Sequence, residues 1–491
     1  MSVPPGHPGA LSAQPADVPD RQAELDALHA QVAEVRRQIH ALQSSTSWRI
    51  TAPVRSLVTV LRRLRSGASA AAPAASETGV PNLAMPLPIR VDGDGPRPGL
   101  PTVLVVSQEA SRTGAPILAW NLCKGLRGRC NVVTLLLRGG SLEEQFAQVS
   151  DVVAGPVSYA ARDPLALAPL LQQLLARWPV DFAIVNSIDS GACVAPLAEL
   201  GIGSVLLVHE FFSYTRPLDA AIDALLAARA VVFPAALVRD DALHPRTRRR
   251  IAEAIVQPQG KCEVPEDRRS AGARASDLVN SLRRFREEGD AFVVLGAGSV
   301  EYRKGVDLFI ATAALARRRA PDARMRFAWI GRGFDPDDQR YGAYLQHQLK
   351  TAPGDDIVIA AEIPDIEQAY PLADAFFLSS RLDPMPNVAI DALTAGVPVI
   401  CFETATGLAE ILQAQVDTAR FVLPHSDVQA AADALLSLRA AHATRDAQAE
   451  LLRSVAARHF RMQDYVQRLL ELGTQASIGS AQRGTVVRQR G

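Results

Sequence analysis

The sequence predicts an α/β protein with two parallel-sheet domains behind an N-terminal helical leader. Short apolar, β-branched runs recur through residues 101–402 and alternate with stretches of helical spacing, the rhythm of strands joined by crossover helices. The 491 residues exceed what one core holds, since single cores rarely grow past roughly 250 to 300 residues. A composition that is 48% hydrophobic but only 5% aromatic suits helices packed on sheets better than an all-β sandwich.

Residues 1–20 are rich in Pro, Gly, Ala and Asp and read as unstructured. From Leu25 the apolar positions Leu28, Val32, Val35, Ile39 and Leu42 alternate by three and four, a short coiled-coil seam. A repeat this short serves either self-association or packing of one amphipathic helix on its own protein. Residues 44–65 place Leu57, Val60, Leu61 and Leu64 on one helical face with Arg55, Arg62, Arg63 and Arg65 around it, as in an interfacial membrane helix or a solvated basic face. Residues 66–100 lack periodicity and read as a linker.

The first globular domain spans residues 101–270. Its strands are predicted at 102–107, 131–137, 181–186 and 203–208. The second spans residues 285–415, with strands at 291–295, 325–330, 357–359, 375–379 and 397–402, and the two join near residues 258–290. Residues 416–475 carry C-terminal helices, and residues 476–491 read as a patternless tail.

Lys plus Arg equals Asp plus Glu at 52 each, so the whole chain has no electrostatic bias towards nucleic acid. The five cysteines are scattered and read as reduced thiols of a cytoplasmic protein. There is no apolar signal segment, no run long enough to span a membrane, and no cluster with metal-site spacing.

Ligands of open parallel sheets bind beyond the carboxyl ends of strands, so the loops after the predicted strands hold the candidate residues. Gly114 opens the helix after the first strand and permits close backbone approach. His209 and Glu210 end an apolar strand, where an imidazole either suits a sugar hydroxyl or phosphate or is, more commonly, just satisfied at the strand end. Arg303 and Lys304 lie between a strand and a helix, where they either stabilise a developing diphosphate charge or stand as solvated loop cations; only four lysines occur in the chain. Asp383 lies in a later loop, Asn387 stands where it can cap the following helix, and Asp391 is about one turn in. The N-terminus of that helix, at Asn387 and Val388, suits a diphosphate.

These segments resemble the GT-B glycosyltransferases of family 4 over roughly residues 101–415. Asp383 and Asp391, separated by seven residues and followed by GVPVI, are similar to that family's acid pair. RKG at 303–305 is similar to its phosphate-binding Lys-Gly, WIGRG at 329–333 to its strand ending in Gly-x-Gly, and residues 363–380 to the lead-in to the acids. Gly114 matches its N-terminal glycine loop and His209 a histidine near the transferred sugar. Both acids are Asp where the family has Glu, and Gly298 stands where a basic residue is usual. The Ser-Trp-Arg-x-Thr-x-Pro-x-Arg stretch at 47–55 resembles the leader of bacterial surface-polysaccharide transferases.

The resemblance implies two facing Rossmann-like domains and transfer of a hexosyl group, with retention, from a UDP- or GDP-sugar to a glycan or lipid-linked acceptor hydroxyl. It implies no metal or other cofactor. It also implies His209, Lys304 and Asp383 as catalytic residues, and Gly114, Arg303, Lys304, Asn387, Val388 and Asp391 as donor-binding residues. The expected location is the cytoplasm, with peripheral contact at the inner membrane face. A non-hydrolysing sugar-nucleotide epimerase and a degenerate scaffold protein are the alternatives.

Overall fold

A computed structural model describes residues 87–488 apart from 93–94, 158–162, 266–275, 355 and 442–444, with side chains as far as residue 477. The heptad seam, the basic segment and most of the linker lie outside the described residues.

The first sheet holds β1 (Ile89–Val91), β2 (Thr102–Ser107), β3 (Asn131–Leu136), β4 (Val152–Ala154), β5 (Phe182–Asn186), β6 (Gly203–Leu207), β7 (Ala230–Phe233) and β8 (Ile255–Val256). Their spatial order is β1-β4-β3-β2-β5-β6-β7-β8. All neighbours run parallel except β1, which pairs antiparallel with β4 through Ile89 and Ala154. This corrects the expected linker of 66–100: β1 lies inside it, covering backbone groups that β4 would otherwise leave unpaired at the sheet edge.

The second sheet holds β9 (Phe292–Ala297), β10 (Met325–Ile330), β11 (Ile357–Ala360), β12 (Ala375–Leu378), β13 (Val399–Phe402) and β14 (Val422–Leu423), in the order β11-β10-β9-β12-β13-β14 and all parallel. The sheet therefore runs past the expected boundary at 415. Strands β2, β3, β5, β9, β12 and β13 are buried along their whole length. That is why each reads as a mainly apolar run.

In each sheet the chain reverses its direction of progress beside a central strand, between β2 and β5 in the first and between β9 and β12 in the second. Loops on either side of such a point diverge and leave a crevice. The crevice of the second sheet is thus bounded by the loop after β9, which carries Lys304, and the loop after β12, which carries Asp383.

The C-terminal helices divide their packing. Val428–Ala440 lies on the Val306–Arg319 helix and Arg445–His459 on Asn387–Ala395, both beside the second sheet. Met462–Arg488 returns to cover β5 and β6. Its small residues allow close contact: a Cβ on Gly473 would meet the Phe182 ring at 2.2 Å, and one on Gly203 would meet the Ala476 carbonyl at 2.5 Å. The expected tail from 476 is therefore corrected to helix as far as Arg488. Tyr465, Val466, Leu469 and Leu472 anchor that helix in the first domain's core, and the continuing ladder extends it beyond the anchor.

Candidate active site

The loop after β9 is shaped by glycine. Gly305 adopts φ +67°, and a Cβ there would lie 2.0 Å from the Ser379 carbonyl oxygen at the end of β12. Only glycine satisfies both conditions. The tight approach brings Lys304 beside the next loop, where its Nζ donates to Asp383 Oδ2 at 2.6 Å. Both are buried, Lys304 at 9% exposure and Asp383 at 5%. Ser380 Oγ donates to the same Oδ2 at 3.2 Å, and Arg303 Nη1 stands 3.9 Å from Oδ1. Arg303 also donates to Glu301 at 2.9 Å. The two cations and the loop acid implied by the resemblance are thus one cluster.

Gly298, where the family carries a basic residue, has φ +142°, and a Cβ on it would touch the Lys304 methylenes at 3.4 Å. Trp329 Nε1 donates to the Gly298 carbonyl at 3.0 Å. A Cβ would meet the Lys304 stem only in ordinary contact, so it is the φ of +142° that suits glycine here.

The Asn387–Ala395 helix begins after Pro386, which takes the cap position without any side-chain cap bond. Asn387 therefore does not cap its helix, which is a correction. As the first helical residue it points its amide away from its own N–H groups, and Nδ2 donates to the Gly114 carbonyl at 3.5 Å while Oδ1 accepts from Gln259 Nε2. The N–H groups of Asn387 and Val388 keep no partner within the helix, as first-turn groups do. The Val388 carbonyl accepts from the Tyr370 hydroxyl at 3.2 Å.

Asp391 faces Lys261, whose Nζ is 3.3 Å from Oδ1. Burial pushes its carboxyl up to about 6, against the pull of Lys261. Asp383 and Asp391 accordingly have separate cationic partners.

In the first domain His209 lies just past β6. Its Nε2 is 3.0 Å from Asn186 Oδ1, and Asn186 Nδ2 donates to the Ala115 carbonyl at 2.8 Å. A carbonyl only accepts, which fixes the amide with its oxygen towards the imidazole. Nε2 must then carry the proton, and Nδ1 keeps a lone pair. Among the described residues nothing bonds that buried Nδ1. Burial pushes His209 down to about 4, so the ring is neutral near pH 7 and accepts at Nδ1. A continuous chain of contacts then runs from His209 through Asn186 to Gly114–Ala115 and on to Asn387 in the other domain.

Glu210 gathers three donors: Ser187 Oγ, Ile188 N–H at 3.2 Å and His209 N–H at 2.9 Å. Ser187 is held at φ +76°, a conformation costly for a non-glycine residue. Burial pushes the Glu210 carboxyl up to about 7 in spite of these bonds. Tyr214, further along the same loop, lies within electrostatic range of Arg303 and Asp383, so this loop faces the cationic cluster of the second domain.

Sequence reasoning missed Asn186, Tyr214, Gln259 and Lys261 and gave Glu210 no part. For Lys261 a signal existed: it is one of only four lysines, the same rarity that drew attention to Lys304. Among the described residues no three His, Cys, Asp or Glu side chains are grouped to hold a metal ion, and no helix is long and apolar enough to cross a membrane. All five cysteines are buried and unpaired.

Residues 291–440 match the family model described as glycosyl transferases group 1. Mannosylfructose-phosphate synthase of Agrobacterium fabrum is 31% identical over 131 residues, a stretch that takes in 26% of this chain and 28% of that synthase. The crystal structure of Anabaena HepE in complex with UDP-glucose superposes with a TM-score of 0.60 at 18% identity, over 75% of this chain and 98% of HepE. Sucrose-phosphate synthase of Thermosynechococcus elongatus gives 0.57 at 15% identity, over 76% of this chain and 98% of that one. At such identities the structural likeness establishes the fold: two Rossmann-like domains of the GT-B type.

Proposed function

Since residues 291–440 match the family model of the glycosyl transferases group 1 and the two sheets form a GT-B fold, we propose that this protein is a retaining glycosyltransferase acting on a UDP- or GDP-linked hexose. The acceptor is a hydroxyl of a glycan or lipid-linked chain in polysaccharide or glycolipid synthesis. The observation that carries the reading is the buried Lys304–Asp383 pair at the crevice of the second sheet, with Arg303 beside it and the His209–Tyr214 loop facing it.

In this reading Lys304, Arg303 and the free N–H groups of Asn387 and Val388 hold the donor diphosphate. As the bond from the anomeric carbon to the diphosphate oxygen breaks, negative charge grows on that oxygen, and fixed cations in a water-poor crevice stabilise it. The acceptor oxygen bonds the anomeric carbon on the face that the leaving group vacates, and its proton passes to the departing phosphate. His209 Nδ1 accepts a hydroxyl of the transferred sugar, Asp383 accepts another, and Asp391 accepts from the ribose. Gly114 lets the first domain's backbone approach the phosphates, and its carbonyl accepts from Asn387 across the cleft. The basic segment at 44–65 attaches the enzyme to the inner membrane face, and the heptad residues pair copies of the leader.

The test is a donor panel of UDP- and GDP-hexoses with lipid-linked acceptors, the product anomer being read by proton NMR. A glycoside of the donor's own anomeric configuration is expected. An inverted product, or epimerised donor formed without acceptor, would defeat the reading.

A further inference from the structure

The segment after β8 passes from the first domain to the second and is fastened to both. On the first-domain side Asn121 Nδ2 donates to the Glu263 carbonyl at 2.8 Å and Asn121 Oδ1 accepts from the Glu263 N–H at 2.9 Å. Towards the second domain Gln259 bonds Asn387, and the Lys261 N–H donates to the Phe460 carbonyl at 2.7 Å. A Cβ on Gly260 would lie 2.4 Å from Met462 Cα, so the connector is pressed against the helix junction beside it. The backbone of Lys261 is thus fixed, and its side chain reaches Asp391 of the Asn387–Ala395 helix at 3.3 Å.

We propose that Lys261 belongs to the donor site as a positioning residue, holding the Asp391 carboxylate ionised and aimed so that it accepts hydrogen bonds from the vicinal ribose hydroxyls of the nucleotide. The proposal rests on the functional reading above and extends it to a residue outside the family's motifs. Asp391 is a shorter acid than the Glu usual there and cannot reach as far unaided, so a fixed cation that sets its rotamer has a task to perform. Among the described residues Lys261 is the one cation paired with this carboxylate. Its other ionisable neighbours, Glu367, Tyr370 and Cys262, offer it no positive charge. With the carboxyl already pushed up to about 6 by burial, loss of Lys261 would favour the protonated form, a poorer acceptor.

The experiment is calorimetric titration of the full chain with UDP and GDP and with their 2′,3′-dideoxy counterparts. The wild type is expected to bind the ribose form of its preferred nucleotide about tenfold more tightly than the dideoxy form, as loss of hydrogen bonds to a buried charged acceptor produces. In Lys261→Met that ratio is expected to fall towards one, the dideoxy affinity staying near its wild-type value, and Lys261→Arg should restore most of it. If Lys261→Met does not fold, Lys261→Gln takes its place. A Lys261→Met protein that keeps the wild-type ratio, or loses affinity equally for both forms, overturns the proposal and leaves the donor site standing. A wild type that binds neither nucleotide, or binds both forms alike, overturns the assignment of Asp391 to ribose and this proposal with it.

Discussion

Removing the ammonium of Lys304 leaves the Asp383 carboxylate buried, with Ser380 as its remaining side-chain hydrogen-bond partner and Arg303 no nearer than 3.9 Å. An uncompensated buried charge costs about 3 to 5 kcal/mol. Lys304→Met is therefore expected to lower the melting temperature as well as turnover. Asp383→Asn added to that variant removes the orphaned charge, so stability should return while turnover stays about two orders of magnitude down. Recovery of both together would take Lys304 out of the chemistry. Glu210 offers a test by pH. Its carboxyl is raised from 4.5 to about 7 on folding, chiefly by burial, so the folded chain holds this proton more firmly than the unfolded one. The resulting stability is fully present below pH 4.5 and is lost as pH rises through about 7. Urea midpoints of wild type and Glu210→Gln, measured between about pH 5 and pH 8, should thus diverge, the wild type losing ground at higher pH. Parallel curves would show that Glu210 does not titrate in that window.

At the scale of elements, what the sequence disclosed was set by burial on both faces. Strand β2 was expected at 102–107 and lies there, and β9, β10, β12 and β13 fall within two residues of their expected spans, because a strand covered by helices on both sides must be an apolar run. Strands β1, β4, β8 and β14, two or three residues long, have no period to display and owe their existence to a neighbour's open edge. Strand β7 is a different omission, since AVVF is itself an apolar run that was readable. The Gly of RKG shows in the sequence as a motif, while its close approach to Ser379 depends on the end of β12, which no local pattern contains. Gly305→Ala puts a methyl group where 2.0 Å separates it from a carbonyl oxygen, in a left-handed conformation. The loop must move, carrying Lys304 away from Asp383. A loss of about 2 kcal/mol or more in urea unfolding is expected, with a fall in turnover beyond that of a surface Gly→Ala control. An unchanged midpoint would mean that the loop relaxes without strain.

For the whole molecule, the contacts that join the two sheets were the part least open to reading, since each pairs residues far apart in sequence that no local pattern connects. Lys261 with Asp391, Asn387 with Gly114 and Glu410 with the backbone near Ala236 are all of this kind. Glu410, on the Gly407–Gln413 helix beside the second sheet, accepts from Ala236 N–H at 3.0 Å and Leu237 N–H at 2.5 Å, the first N–H groups of the Ala236–Asp241 helix beside the first. The two domains meet closely there, for a Cβ on Gly407 would lie 2.2 Å from Ala235 Cβ. A carboxylate bonding two N–H groups at a helix start makes a charge-assisted contact between the domains. Glu410→Ala leaves both donors without their acceptor, at about 1 to 3 kcal/mol for each that water does not reach. On the proposed function the cleft opens to release nucleotide and closes to exclude water, so weakening this contact should favour the open arrangement. In nucleotide-free protein the radius of gyration from solution scattering is therefore expected to rise, and the amides of residues 236 and 237 should exchange faster than those of the β6 core. Saturating nucleotide should draw the radius back, since donor contacts on both sides of the cleft replace what the mutation removed. If neither the radius nor the exchange changes, Glu410 only satisfies a local helix end, and the connector with the Met462–Arg488 helix holds the domains together.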